Sequence, residues 1–198
     1  MLFLQSVIFA LPMAIRKSLR HKIAQHLFLR EFKNHQARRH LITFNEAKSI
    51  GILYDSSNEK HFELVRRYVK DIRETHHKEV LALGYYDQVE LPPMRFSKLG
   101  LDFFTKKNLN WYFKPITPVV KNFVNYEFDI LIDLHTGNSI PFRYIVAMSR
   151  ARFKIGKYEK AAAEFYDFMI STGEQLTMTQ FIEQINHYLR SFKHEPAV

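Results

Sequence analysis

The chain has 198 residues, of which 46% are hydrophobic and 15% aromatic, and it carries a net charge of +9 and no cysteine. This composition excludes a disordered or fibrous chain, and the length suits one domain with an appendage rather than two full domains. The lack of cysteine excludes disulfides, thiolate metal sites and a cysteine nucleophile, and it fits a reducing cytoplasm.

Most of the positive charge lies near the amino terminus. Residues 13–40 contain eight Lys and Arg residues and one Glu, and therefore hold +7 of the total +9. We expect these cations to contact an anionic surface, which is a membrane, RNA or an acidic protein. They are Arg16, Lys17, Arg20, Lys22, Arg30, Lys33, Arg38 and Arg39.

The segment 1–12 is mostly apolar and ends at Pro12. It is shorter than the roughly 20 residues that a membrane-spanning helix needs, and no basic residues precede it as they would in a secretory signal. We favour a translation start at Met13, with 1–12 as an upstream extension. A short signal anchor is the alternative.

The segment 13–44 is predicted to form a basic amphipathic helix. Ile15, Leu19, Ile23 and Leu27 recur every four residues, and neither Gly nor Pro interrupts the pattern before Leu41, so we expect a helix of about 20 to 25 residues. Its apolar stripe either docks on the rest of the chain, which leaves a solvated basic face, or meets a partner.

The segment 45–193 is predicted to be a single α/β domain, followed by a tail at 194–198. A buried strand at 48–54 precedes Ser56 and Glu59, whose spacing is typical of a capping box at a helix start. Further strands are predicted at 80–85, 109–113, 128–134, 153–156 and 166–170. Further helices are predicted from Pro118, over 140–150, and from an N-cap at Thr177 to 192.

Strands that alternate with helices indicate a doubly wound, mainly parallel, Rossmann-like sheet, here of five or six strands. In such sheets ligands bind beyond the carboxyl ends of the strands, at the point where the strand order reverses. If the first and fourth strands are neighbours, the loops that follow them face each other.

These two loops are the predicted ligand-binding site. Both combine an acid, hydroxyl groups and a helix start, which can bind a small phosphorylated ligand through free backbone amides. Helix capping is the ordinary structural role for the same residue types. The candidates are Asp55, Ser56, Ser57, Asn58, Thr136, Gly137, Asn138 and Ser139.

Asp133 and His135 are the catalytic candidates. Asp133 ends an apolar strand, so we expect it to be partly buried and to need a partner, which His135 would supply through a hydrogen bond. Such a pair is suited to proton transfer.

Two further features have ordinary alternatives. A second basic cluster suits either phosphate or single-stranded RNA binding or a solvated edge, and Trp111 is predicted to lie in the core. The cluster consists of Arg143, Arg150, Arg152, Lys154, Lys157 and Lys160.

No Gly-x-Gly-x-x-Gly follows the first strand, and the chain has no Gly-Lys-Ser/Thr, Gly-x-Ser-x-Gly or His-Glu-x-x-His motif. We therefore expect neither cofactor nor metal. We favour a cytoplasmic, non-catalytic interaction or ligand-binding protein, peripheral at the inner membrane face if its helix binds lipid. The alternative is an active or degenerate enzyme for a phosphorylated or glycosyl substrate. The oligomeric state stays open.

The strand Phe-Asp-Ile-Leu-Ile-Asp-Leu (128–134), a following helix and Ala-Arg-Phe-Lys-Ile-Gly (151–156) resemble the amino-terminal domain of heptosyltransferase-type glycosyltransferases. That family binds its donor nucleotide in a second domain, for which this chain has no room. The resemblance implies a shared half-fold without transferase activity.

From Met13 to Phe192 the chain is similar to a small uncharacterised family of bacterial proteins, seen mainly in Bacteroidetes. The shared features are the basic helix, the strand at 128–134, Phe-Lys-Ile-Gly-Lys-Tyr (153–158) and Tyr-Asp-Phe-Met-Ile (166–170). This resemblance implies the α/β fold and no particular activity.

Overall fold

A computed structural model describes most of the chain. The residues described are 13–33 (backbone alone for 13–17), 39–93, 95, 100–171 and 176–192. The predictions for the extension 1–12, the tail 194–198, Arg38 and the side chains of Arg16 and Lys17 fall outside this description.

Six parallel strands form one sheet in the order β3-β2-β1-β4-β5-β6. The strand order reverses between β1 and β4, which pair directly, so the predicted doubly wound α/β fold is confirmed. The strands are β1 (Ser49–Asp55), β2 (Glu79–Tyr86), β3 (Leu101–Thr105), β4 (Ile130–Asp133), β5 (Phe153–Lys157) and β6 (Phe168–Ile170).

Helices cover both faces of the sheet, and this explains why the central strands are almost continuously apolar. Helices α2 and α5 pack on one face, and α1, α3 and α4 pack on the other. The helices are α1 (Met13–Lys33), α2 (Glu59–Glu74), α3 (Pro118–Asn125), α4 (Ile140–Met148) and α5 (Met178–Ser191). Short 3-10 helices occupy Lys106–Asn108 and Lys160–Phe165.

The predicted third strand at 109–113 is wrong, because β3 lies earlier in the chain. Residues 109–115 instead form a tight loop, closed by a bridge between Leu109 and Pro115. The Asn110 side chain accepts hydrogen bonds from the amides of Tyr112 and Lys114. The run of large apolar residues is typical of a strand, but it lies in a loop and its side chains are half-buried.

One predicted helix cap is wrong and another is confirmed. Asn58, rather than Ser56, caps α2 by accepting from the amides of Lys60 and His61, while Ser56 is buried and donates to the carbonyl oxygen of Tyr85. Thr177 caps α5 as predicted.

Candidate functional site

Asp133 ends β4 next to the sheet's reversal point, since Leu53 of β1 is its register neighbour. Its side chain is 3% exposed. It accepts one hydrogen bond from the Tyr166 hydroxyl at 2.6 Å and one from the backbone amide of His135 at 2.9 Å. Burial raises the Asp133 pKa to about 7, and the two hydrogen bonds oppose that rise only in part. This carboxyl therefore exchanges its proton near neutral pH.

The predicted pairing of the Asp133 and His135 side chains is wrong. His135 contacts Asp133 through its backbone amide, and its ring instead stacks on Phe142 with 3.8 Å between ring centroids. Burial lowers the His135 pKa to about 4, and the positive charges of Arg143 and Lys157 act in the same direction. The imidazole is therefore neutral at pH 7, and Tyr166 is the side-chain partner of Asp133.

A cleft of about 210 Å³ opens above Asp133 at the carboxyl ends of β4 and β5. The loop 134–139 and the start of α4 form one side of it, and the residues after β5 form the other. The lining side chains and loop residues are Asp133, His135, Thr136, Gly137, Asn138, Ser139, Phe142, Arg143, Lys157, Tyr158, Glu159 and Tyr166. All four candidates of the second predicted loop therefore lie at this cleft.

The charged groups of the cleft hold both signs. Arg143 forms an ion pair with Glu159 across the cleft wall, and its Nε is buried without a hydrogen-bond partner among the described residues. Lys157 donates to the Thr136 carbonyl oxygen at 3.4 Å. Since Ser139 caps α4 without a side-chain hydrogen bond, the start of this helix and the Lys157 ammonium group favour an anionic group here.

The first predicted loop has mainly structural roles. The Asp55 carboxylate accepts from the Ser57 amide, and the Ser57 hydroxyl accepts from the amide of Asp87. With Ser56 buried and Asn58 capping α2, none of the four candidates lines the cleft. Asp55 still influences the site, because its negative charge opposes the fall in the His135 pKa.

A second cavity, of about 450 Å³, adjoins the cleft. The two share Asn138 and Ser139 in their linings. Aromatic rings of Tyr85, Trp111 and Phe113 line the second cavity. Trp111 is only half-buried, so the prediction that it lies in the core is wrong.

Helix α1 forms part of the wall of this second cavity. Ala24 and Phe28 are buried against the domain, and Phe28 contacts the Phe165 ring with 5.1 Å between centroids. Arg20 lines the cavity and donates from Nε to the Trp111 carbonyl oxygen at 2.7 Å. The docked face is centred on Ala24 and Phe28, one residue beyond the predicted stripe, whose Leu19, Ile23 and Leu27 are half-buried.

The predicted anion-binding cations have different surroundings. Arg20 is half-buried, and Arg39 donates to the Glu164 carbonyl oxygen and lies 3.8 Å from the Asp167 carboxylate. Lys22, Arg30 and Lys33 are exposed. These three residues remain accessible to an external anion.

The second basic cluster contains one residue that is not on the surface. Lys154 is 0% exposed, and its Nζ donates to the carbonyl oxygen of Val146 at 2.8 Å, in the last turn of α4. Burial lowers the Lys154 pKa to about 7. Its place between Phe153 and Ile155 in an apolar strand was the available signal for this burial.

The described residues form neither a metal-binding cluster nor a membrane-spanning helix. In that part of the chain, no three His, Cys, Asp or Glu residues cluster closely enough to hold a metal ion. Among the described helices, none combines the length and the apolar content that crossing a bilayer requires.

Comparison with known proteins identifies a family. A family model described as a family of unknown function (DUF6913) matches residues 16–192. Neither a curated protein nor a solved structure matches the chain. The match agrees with the resemblance to an uncharacterised family, and nothing in the comparisons supports the resemblance to heptosyltransferases. Because the match spans most of its length, the chain belongs to this family of unknown function.

Proposed function

We propose that the protein is a non-catalytic ligand-binding protein, which holds a small phosphorylated ligand in the strand-end cleft and turns the cations of α1 towards an anionic surface. The observation that carries this proposal is the docking of α1. Ala24 and Phe28 bury one face of the helix, Arg20 lines the cavity beside the cleft, and the opposite face is exposed.

The ligand half of the proposal rests on the chemistry of the cleft. Lys157 supplies positive charge, Arg143 lines the cleft in an ion pair with Glu159, and residues 136–139 line it just before the start of α4. Asp133 is protonated over part of the neutral range, since its pKa is about 7, so it repels an anion less than an ordinary carboxylate does. A phosphate group suits this combination of donors.

The surface half rests on helix geometry. Lys22, His26, Arg30 and Lys33 recur at intervals of four, four and three residues and are all exposed, so they form one stripe along α1. Because the apolar face is docked on the domain, the stripe offers charge without an apolar anchor. This favours RNA or an acidic protein over membrane insertion as the partner.

The cleft is tested by thermal unfolding with ribose 5-phosphate. A ligand that binds only the native state raises the midpoint as its concentration rises. We expect this rise in the wild type and in Lys160→Gln, whose exposed side chain is outside the cleft, and a much smaller rise in Lys157→Gln. Equal rises in all three proteins, or no rise, would count against the cleft.

The helix stripe is tested with a single-stranded RNA and with anionic vesicles at increasing salt. The variant replaces Lys22, Arg30 and Lys33 by Gln. Its control replaces the exposed Lys60, Arg67 and Lys70 of α2 by Gln, which changes the charge equally. We expect RNA binding that weakens with salt and is lost only in the first variant. Equal loss in both variants, or binding that salt does not weaken, contradicts the stripe.

The second candidate is an enzyme, and the Asp133 pKa of about 7 favours it. Asp133 would give up or take up the proton, and neutral His135 and the cleft cations would position a phosphorylated or glycosyl substrate. Turnover of p-nitrophenyl phosphate or a p-nitrophenyl glycoside that Asp133→Asn abolishes would support this candidate. Equal rates in the two proteins would exclude it.

For either candidate we propose a bacterial cytoplasm as the location, on the grounds of the cysteine-free composition and the family resemblance. The alternative is a peripheral place at the inner membrane face. Sedimentation of the native protein with membranes after a high-salt wash would decide for the alternative.

A further inference from the structure

The cleft and the second cavity share a wall and differ in the side chains that line them. The cleft lining contains Asp133, Arg143, Lys157 and Glu159, whereas the cavity lining adds the rings of Tyr85, Trp111 and Phe113 to charged side chains of its own. Asn138 and Ser139 belong to both linings. A ligand that crosses this wall would place a flat apolar group on one side and an anionic group on the other.

The aromatic side is held in a fixed shape. Asn110 accepts from two amides of its own loop, and Phe113 adopts a φ of 66°, a left-handed conformation that bulky residues rarely adopt. The guanidinium carbon of Arg20 lies 4.4 Å from the Phe113 ring centroid. Strain of this kind persists only where surrounding contacts fix it, so Trp111 is presented on a rigid loop.

Polar groups at the rim of the second cavity add selectivity. The Asp87 carboxylate accepts from the Tyr85 hydroxyl at 2.9 Å and lies 3.3 Å from the Lys106 Nζ. The cavity thus combines aromatic rings with a carboxylate and an ammonium group. Heteroaromatic rings that carry exocyclic donors and acceptors match this arrangement better than a plain hydrocarbon does.

From this juxtaposition we infer that the ligand is a nucleoside monophosphate, with its base against Trp111 in the second cavity and its phosphate in the strand-end cleft. The inference rests on the proposed function, since it names the ligand class of the same cleft. The cavity volumes, about 450 and 210 Å³, together fall in the range of small-molecule sites.

Trp111 is the only tryptophan of the chain and so reports directly on its own cavity. The experiment titrates the full chain with AMP, adenosine and ribose 5-phosphate, and it follows both Trp fluorescence and heat. We expect AMP to quench the fluorescence and to bind about tenfold or more tightly than adenosine or ribose 5-phosphate, because stacking and phosphate contacts act together.

Variants separate the two ends of the ligand. Trp111→Leu is expected to weaken AMP binding about tenfold, to the level of ribose 5-phosphate, whereas Tyr188→Leu, at an exposed ring of α5, leaves it unchanged. Lys157→Gln is expected to weaken AMP and ribose 5-phosphate alike and to leave adenosine unchanged.

The outcomes separate this inference from the proposed function. If ribose 5-phosphate binds as tightly as AMP and AMP does not quench the fluorescence, the ligand is not a nucleotide. The proposal that the cleft binds phosphate then still stands. Adenosine that binds as tightly as AMP overturns the bridging of the two cavities. Binding of none of the three probes overturns the inference and the proposed function together.

Discussion

The Tyr166 hydroxyl donates a 2.6 Å hydrogen bond to the Asp133 carboxylate at the base of the strand-end cleft. The bond joins the end of β4 to the segment before β6. Because negative charge on Asp133 disfavours ionisation of its donor, the pKa of Tyr166 lies well above its ordinary value, with burial as the larger cause. Tyr166 therefore keeps its proton and remains a hydrogen-bond donor. Asp133 is the group of this pair that titrates near neutral pH.

Replacement of Asp133 by Asn is expected to change how stability depends on pH. The folded pKa of about 7 exceeds the ordinary 3.8, so the native state binds this proton more tightly than the unfolded state does. The resulting stabilisation, at most about 4 kcal/mol, is full below about pH 4 and is lost as pH rises through 7. In Asp133→Asn, the free energy of unfolding in urea should therefore not show this decrease between pH 4 and 7. Glu90→Gln, at an exposed carboxylate, should retain it.

His135→Gln is expected to have the opposite effect over nearly the same range. The folded pKa of about 4 lies below the ordinary 6.5, so the unfolded state takes up the proton first as pH falls. Stability from this group is present above about pH 6.5 and is lost towards pH 4. The variant should therefore show a steeper fall in unfolding free energy from pH 4 to 6.5 than the wild type. The same slope in His135→Gln and in the control His26→Gln would contradict this explanation.

Gly156→Ala is expected to disturb the pair from a distance. A Cβ at this position would lie 2.5 Å from Cε1 of the Tyr166 ring, so the ring must move and its bond to Asp133 lengthens. Overpacking costs about 1–3 kcal/mol. Loss of the Tyr166 bond removes an interaction that lowers the Asp133 pKa, so that pKa should rise above 7 when followed by carboxyl ¹³C NMR.

The matched control for this change is Gly51→Ala. Its Cβ would lie 2.8 Å from Cδ2 of the Phe128 ring, so it overpacks the same sheet without touching Tyr166. We expect comparable destabilisation and an unchanged Asp133 pKa. An equal shift of that pKa in both variants would mean that the effect is general loosening of the sheet.

Lys154→Met is expected to remove a rise of stability at alkaline pH. The folded pKa of about 7 lies below the ordinary 10.5, so the unfolded state holds this proton more tightly. Stability therefore increases as pH rises from about 7 towards 10 in the wild type. Urea midpoints at pH 7, 8 and 9 should increase in the wild type and stay level in the variant. A parallel increase in both proteins would show that folding does not lower the pKa of Lys154.

The sequence predicts the strand that carries Asp133 and the loop that follows it. Residues 128–134 combine apolar and β-branched side chains, so both the buried strand and the burial of Asp133 at its end follow from local pattern. Residues 136–139 come directly after that strand, and the parallel sheet places them at the cleft without further information.

The partners of these residues could not be predicted. Tyr166 lies 33 residues from Asp133, and no periodicity indicates that their side chains meet. The strand prediction at 109–113 failed for a local reason. Trp111 and its apolar neighbours have the composition of a strand, but hydrogen bonds to Asn110 fix them in a loop. Composition identifies an apolar segment and leaves its backbone path open.

The most direct test of the ligand cleft is an amide NMR titration of the full chain with inorganic phosphate. We expect saturable shifts centred on the amides of 136–139 and Lys157, which weaken in Lys157→Gln and persist in Lys160→Gln. Shifts that are absent, that spread over the basic surface without saturating, or that weaken equally in both variants would contradict a phosphate-binding cleft.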